Sequence, residues 1–111
     1  ASPLEKMIEI GDIIGSGLHV AEAIPAAFGL FVANNGDAMN SIKGGVNIGY
    51  DTDTVATMAG AIAGTLQGAG AFPSHYLDLL EKKNQLDISG LAASIEKIAL
   101  RRQKGATFHA R

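Results

Sequence analysis

The sequence contains no cysteine and no tryptophan, and aromatic residues make up only 5% of its 111 residues. Without cysteine the chain cannot be a disulfide-stapled secreted domain, and a zinc site built from thiolates is excluded. Basic residues are not in excess either, since the formal net charge is −2. The chain therefore lacks the positive field of a nucleic-acid-binding protein, and no nucleic-acid partner is expected.

Long apolar runs are missing as well. The most apolar segment, residues 55–70, contains Gln67 and is shorter than the roughly 20 residues that a membrane span needs. No secretory signal opens the chain. We therefore predict a protein without a membrane segment, located in the cytoplasm. The chain opens on Ala1-Ser2-Pro3 and its first methionine is Met7, as expected of a processed, tagged or fragmentary chain.

What the sequence does contain is apolar residues at helical spacing, and no stretch alternates with a period of two for long enough to indicate a strand. The predicted helices run from Pro3 to Ile14, from His19 to about Asn34, from Asp37 to the glycines before Tyr50, from Asp51 to Gly68, from about Ser74 to Lys83, and from Ile88 to about Arg102. The predicted fold class is all-α, a compact multi-helix orthogonal bundle. Residues 1–111 then form one helical domain or the C-terminal fragment of a larger one, with a frayed tail at 103–111.

Two of these helices have a predicted packing face. Met39, Ile42 and Val46 are expected to point inward from the third helix. In the helix after Asp51, Gly60, Gly64 and Gly68 recur four apart, which predicts close approach of a neighbouring helix backbone. That helix is therefore expected to be central and buried.

A cluster of oxygen-bearing side chains lies at the start of this central helix, in the stretch Tyr50-Asp51-Thr52-Asp53-Thr54. Hard divalent cations such as Mg²⁺ take ligands of this kind. Asp and Thr are also preferred helix N-caps, so the same residues are open to a purely structural interpretation. An EF-hand is excluded, because its required Gly and Glu would fall at Ala56 and Ile62.

A second candidate is the loop Gly15-Ser16-Gly17, whose glycines permit unusual backbone angles and close approach to a ligand. It is not a dinucleotide fingerprint, because no strand precedes it and the third glycine is missing. Glu22, on the helix that follows, is interpreted as a solvated or capping residue. We predict substrate contacts at Gly15, Ser16, Gly17 and Tyr50.

Several motifs together resemble the ADP-ribosylglycohydrolase family, which includes the ADP-ribosyl-dinitrogen reductase hydrolases and the ADP-ribosylarginine hydrolases. The motifs are Gly49-Tyr50-Asp51-Thr52-Asp53-Thr54, Ala59-Gly60-Ala61-Ile62-Ala63-Gly64, Phe72-Pro73 leading into Tyr76-Leu77 and Leu80-Glu81, and the preceding Ala23-Ile24-Pro25-Ala26-Ala27. The resemblance covers roughly residues 15–82, and the chain resembles the C-terminal portion of such an enzyme.

The resemblance implies an all-helical fold and metal-dependent hydrolysis of the glycosidic bond of an ADP-ribosylated protein or a related ADP-ribose derivative. It implies a pair of Mg²⁺ or Mn²⁺ ions, with Asp51, Asp53 and Thr54 as the C-terminal metal ligands and a metal-bound water near Asp51 and Asp53. The other half of this binuclear site is expected from the missing N-terminal segment of the same enzyme. The isolated chain is therefore expected to be inactive.

The sequence departs from the family pattern at two points. Tyr50 stands where the family usually has glycine, and the N-terminal acidic cluster of the family is absent from these 111 residues. These departures leave a rival interpretation open, in which the chain is a non-catalytic structural or ADP-ribose-binding helical protein on the same scaffold, as in crystallin-like members. An acidic cluster upstream would favour catalysis, and its loss would favour the rival.

Overall fold

The computed structural model describes residues 1–109, with the side chains of residues 1–105. Its helices are α1 (Pro3–Glu9), a π-helix (Ile10–Ile14), α2 (Val20–Ala33), α3 (Ala38–Asn47), α4 (Thr52–Gln67), a 3₁₀ turn (Ala69–Ala71), α5 (Ser74–Asn84) and α6 (Ile88–His109). Residues 1–109 form no strand, which confirms the predicted all-α class.

Local sequence explains where several helices begin and end. The hydroxyl of Ser2 accepts a hydrogen bond from the Glu5 N–H at 3.2 Å, and Pro3 occupies the first position of α1. Asp37 caps α3 by accepting from the Asn40 N–H at 2.8 Å, which confirms its predicted capping role. At the C-terminal end of α4, Gly68 takes a φ of +78°, a conformation that favours glycine and stops the helix.

The hydrophobic core is made almost entirely of small side chains. Its fully buried apolar residues are alanines except for Leu30 on α2 and Val55 on α4. α4 packs against both α2 and α3, as expected of a central helix. Because alanine fills little space, a core of this kind allows neighbouring helices to approach closely.

The predicted inward face of α3 is partly wrong. The residues that α3 buries are Ala38, Ser41 and Gly45, whereas Met39 and Ile42 are half-buried and Val46 is 58% exposed. The prediction followed the largest apolar residues; Ile42 does reach Gly60 of α4, but where α3 meets Ala56 only Gly45 fits. The packing face of α3 therefore lies beside the apolar face that the sequence suggests.

The glycine that permits close backbone approach is also a different one. A Cβ atom on Gly45 would lie 2.5 Å from the Cα atom of Ala56, so only glycine fits against α4 there. Gly60 and Gly64 of α4 instead face the side chains of Ile42 and Phe72, and Gly68 faces open space. The expectation that the α4 glycines admit a neighbouring backbone is therefore wrong.

The chain forms two compact units, the first Ala1–Phe72 and the second beginning at Pro73. The second contains α5 and α6, and the Glu81 carboxylate on α5 accepts a hydrogen bond from the Ser89 N–H at 2.9 Å. α6 continues past its predicted end at about Arg102 to His109, through Gln103 and Lys104, which favour helix. The predicted frayed tail thus begins inside α6, and its residues 110–111 lie outside the described residues.

No helix in the described part of the chain is long and apolar enough to cross a membrane.

Candidate functional site

Two loops that are far apart in the sequence are joined by hydrogen bonds through Ser16. The Ser16 hydroxyl donates to the Gly49 carbonyl oxygen at 2.9 Å, and the Asp51 N–H donates to the Ser16 carbonyl oxygen at 3.0 Å. The glycine loop at residues 15–17, predicted to contact substrate, therefore lies directly beside the stretch predicted to bind metal.

Ser16 itself is fully buried, with 0% of its surface exposed. Its hydroxyl is already used on Gly49, so in this conformation Ser16 holds the two loops together and does not face a ligand. Gly15 and Gly17 on either side of it keep part of their surface accessible. The accessible part of the loop is thus formed by the two glycines.

The acidic stretch enters α4 through a tight turn. The Thr52 N–H donates to the Tyr50 carbonyl oxygen at 3.0 Å, and Asp51 between them has φ −85° and ψ +63°. These angles are those of an inverse γ-turn. α4 begins immediately afterwards, so Asp51, Asp53 and Thr54 all lie at its N-terminal end, where the helix dipole favours negative charge.

The oxygens of these three side chains are not used for capping. Asp51 occupies the N-cap position of α4, yet its side chain accepts no capping hydrogen bond, in contrast to Ser2 and Asp37. Asp51 is half-buried, while Asp53 and Thr54 are exposed. A role as a helix cap therefore does not account for this cluster, and its side-chain oxygens are available to a ligand.

The donor set fits one part of a site for a hard divalent cation. Two carboxylates and a hydroxyl are ligands that Mg²⁺ and Mn²⁺ accept. No group of three His, Cys, Asp or Glu side chains is positioned to hold a metal ion anywhere in the described residues. The remaining ligands of such a site would have to come from solvent, substrate or another segment.

Glu22 is a residue of this region that the sequence interpretation underrated. It is half-buried in the first turn of α2, and its carboxylate lies over the glycine loop. A Cβ atom on Gly15 would lie 2.7 Å from one carboxylate oxygen and a Cβ on Gly17 2.5 Å from the other. The two glycines around Ser16 make room for this carboxylate, a pairing that the sequence spacing alone does not reveal.

Comparison with known proteins assigns the chain to a family. The sequence model of the ADP-ribosylglycohydrolase family matches residues 2–106. The chain belongs to the ADP-ribosylglycohydrolase family. The resemblance inferred from the motifs around Asp51 and Asp53 is thereby confirmed.

The curated relatives of this family member are much longer than the chain. YegU of Escherichia coli (strain K12) is 30% identical over 95 residues, which cover 86% of this chain and 28% of YegU. Human ADP-ribosylhydrolase ARH3 is 32% identical over 100 residues, covering 81% of this chain and 27% of ARH3. The chain thus spans little more than a quarter of these relatives. No solved structure matches it.

Tyr50, which stands where the family usually has glycine, has a backbone conformation that favours glycine. Tyr50 has a φ of +59°, in the left-handed region that favours glycine, and 89% of its surface is exposed. The turn before Asp51 therefore carries a bulky residue in a conformation that glycine adopts more easily. The tyrosine ring stands in solvent directly before the first metal-ligand candidate, Asp51.

Proposed function

We propose that this chain supplies the C-terminal half of a binuclear Mg²⁺ or Mn²⁺ site in a hydrolase. The enzyme cleaves the glycosidic bond of an ADP-ribosylated protein or a related ADP-ribose derivative. Membership of the ADP-ribosylglycohydrolase family supports the reaction class. The observation that carries the proposal is that the side-chain oxygens of Asp51, Asp53 and Thr54 lie beside the glycine loop and make no helix-capping hydrogen bond.

In this proposal each part of the site has a distinct task. Asp51, Asp53 and Thr54 hold the divalent cations, which when bound supply Lewis acidity and activate water. Gly15 and Gly17 present backbone to the ADP-ribose moiety, and Tyr50 contributes an aromatic surface beside it. Ser16 keeps the loop and the acidic stretch in register through its two hydrogen bonds.

We further propose that the protein is cytoplasmic.

In this proposal the remaining metal ligands belong to a segment that this chain lacks. The described residues offer no third acidic or histidine ligand near Asp51 and Asp53. The share of the curated relatives that lies outside the match leaves ample sequence for a second ligand cluster.

A metal titration tests the proposal on the isolated chain. Mg²⁺ and Mn²⁺ are titrated calorimetrically, with and without ADP-ribose, into the wild-type chain and into Asp51→Asn/Asp53→Asn. We expect saturable binding by the wild type and affinity weaker by at least about tenfold in the variant, because carboxylates bind hard cations far better than amides.

The matched control is Glu9→Gln/Asp12→Asn, which removes the same two charges from an exposed part of the first unit. It should bind metal like the wild type. Equal affinity of Asp51→Asn/Asp53→Asn and wild type would contradict the metal assignment and favour the structural interpretation of the acids. Binding of ADP-ribose with no metal dependence would favour the non-catalytic rival.

A further inference from the structure

The Glu22 carboxylate lies across the glycine loop with one oxygen at each glycine. Oε1 would be 2.7 Å from a Cβ atom on Gly15, and Oε2 would be 2.5 Å from a Cβ atom on Gly17. Real Cβ atoms do not make contacts this short, so the carboxylate occupies space that a side chain at either position would need. Its two oxygens therefore lie side by side at the accessible part of the loop.

This carboxylate accepts no hydrogen bond and forms no ion pair with any of the described residues. The carboxylates of Asp37, Glu81 and Asp87, by contrast, each accept a hydrogen bond from a backbone N–H. Glu22 is also half-buried, and partial burial makes an unsatisfied carboxylate costly. Because an ionised carboxylate can only accept hydrogen bonds, a ligand that stabilises it has to carry donors.

ADP-ribose contains one kind of group that matches two adjacent acceptor oxygens. Its diphosphate does not, because two negative groups repel each other. A ribose with free 2′ and 3′ hydroxyls carries two neighbouring donors and no charge, and a single carboxylate binds the ribose hydroxyl in dinucleotide-binding folds. In the proposed function the ribose whose glycosidic bond is cleaved lies at the cations of Asp51 and Asp53. The ribose that remains for Glu22 is that of the adenosine.

We infer that Glu22 is a specificity-determining residue that accepts hydrogen bonds from the 2′ and 3′ hydroxyls of an adenosine ribose. It selects a free diol and rejects a 2′-phosphate, whose negative charge would lie against the carboxylate. Gly15 and Gly17 are part of the same recognition feature, since a side chain at either position would displace the carboxylate. The choice of ligand rests on the proposed function, whereas the position of the two acceptor oxygens rests on the loop geometry.

Nucleotides that contain only the adenosine ribose provide the test. ADP, 2′-deoxy-ADP and ADP with an added 2′-phosphate are titrated into the isotopically labelled full chain in the presence of EDTA. Affinities are obtained from the shifts of amide resonances in NMR spectra, with Gly15 and Gly17 as local reporters. We expect the wild type to bind ADP about tenfold or more tightly than either analogue, because hydrogen bonds to a charged acceptor are strong.

The variant Glu22→Gln keeps the size of the side chain but removes its charge and one acceptor oxygen. It should bind ADP about tenfold less tightly than the wild type does, and it should bind the 2′-phosphate form more tightly. A general loosening of the loop would weaken binding of both ligands, so opposite changes identify direct recognition. Glu96→Gln makes the same chemical change at an exposed position of the second unit and should behave like the wild type.

The variant Gly17→Ala tests the geometry without altering the charge. Its methyl group would fall 2.5 Å from Oε2 of Glu22, so the carboxylate has to move. The preference for ADP over 2′-deoxy-ADP should then fall, as in Glu22→Gln. Thermal unfolding shows whether each variant is folded, and Glu22→Gln should melt like the wild type because it breaks no hydrogen bond among the described residues.

Three results would overturn the inference: no binding of ADP by the wild type, equal affinity for ADP and 2′-deoxy-ADP, or an undiminished preference in Glu22→Gln. These measurements require neither metal nor hydrolysis, so they are separate from the test of the proposed function. A preference for ADP that Glu22→Gln loses, in a chain that binds no metal, would uphold the inference and contradict the proposed function. Metal binding that depends on Asp51 and Asp53, without this preference, would do the reverse.

Discussion

Around the acidic stretch, single residues fix the backbone by hydrogen bonds and by conformations that cost free energy. Ser16 is buried and makes two hydrogen bonds across the loops, each worth about 1 kcal/mol net. Tyr50 opposes this stabilisation, because a left-handed backbone costs a non-glycine residue roughly 1–2 kcal/mol. This strained residue lies next to Asp51. Strained backbone conformations in proteins cluster at functional sites.

Replacement of Tyr50 by glycine is expected to stabilise the chain by about 1 kcal/mol or less. Relief of the left-handed strain outweighs the extra backbone entropy of glycine, and the exposed ring contributes little burial. Chemical denaturation measures the free energy of unfolding. The control is Asn35→Gly at a similar φ of +53°, where asparagine already tolerates this conformation and the gain should be smaller. A Tyr50→Gly chain less stable than wild type would show that the ring makes stabilising contacts.

At the scale of the secondary-structure elements, the packing of α3 against α4 determines the position of the acidic stretch. α3 buries Ala38, Ser41 and Gly45, and Gly45 packs directly against the backbone of Ala56 on α4. Small residues on both sides bring the two backbones together. This close pair leads directly into the turn at Asp51, so the position of the acidic stretch depends on the packing of α3 against α4.

The substitution Gly45→Ala should destabilise the first unit by about 1–3 kcal/mol, although alanine favours helix. The added methyl group would fall 2.5 Å from Cα and 2.7 Å from N of Ala56, and these backbone atoms cannot move aside as a side-chain tip can. Thermal unfolding followed by circular dichroism measures the loss. Gly11→Ala serves as the control, since its methyl group would meet Ile48 at an ordinary 3.6 Å and should have little effect. Equal stability of both variants would contradict the close approach.

At the scale of the whole molecule, the apolar side chains in the core are mostly small, whereas many of the exposed ones are large. The core holds alanines with Leu30 and Val55, while larger apolar residues on several helices remain exposed. The chain covers 27–28% of curated relatives. With this distribution, apolar side chains larger than those of the core face solvent, as at sites of interaction.

The 111-residue chain alone is expected to show no hydrolysis of ADP-ribosylated arginine above the uncatalysed rate. Its acidic stretch provides two carboxylates and no third acidic or histidine ligand within the described residues, too few for a binuclear site. Release of ADP-ribose in the presence of Mg²⁺ or Mn²⁺ is followed by chromatography. Turnover that Asp51→Asn/Asp53→Asn abolishes would show that the chain is catalytically sufficient and would contradict this expectation.

Much of the local structure could be predicted from the sequence, and most of the tertiary detail could not. Asp37 was predictable as a cap because its hydrogen bond to Asn40 spans three residues. Val46 was wrongly predicted to point inward because hydrophobicity does not reveal that α3 packs through its smallest residues. The contact of Ser16 with Gly49 and Asp51 joins positions more than thirty residues apart, and no local sequence pattern reveals a contact over that distance. Glu22 was interpreted as a solvated or capping residue because the sequence does not show that its carboxylate lies over Gly15 and Gly17.

The two hydrogen bonds of Ser16 also have a thermodynamic consequence. Because the glycine loop and Asp51 are bonded to each other, a ligand that shifts the loop also shifts the first acidic side chain of the cluster. If the cation binds at the acids and the sugar nucleotide at the loop, as proposed, binding at the two places is linked. Linkage is reciprocal: the factor by which a sugar nucleotide changes cation affinity equals the factor by which the cation changes affinity for the sugar nucleotide. Ser16 is the residue through which that coupling free energy would pass.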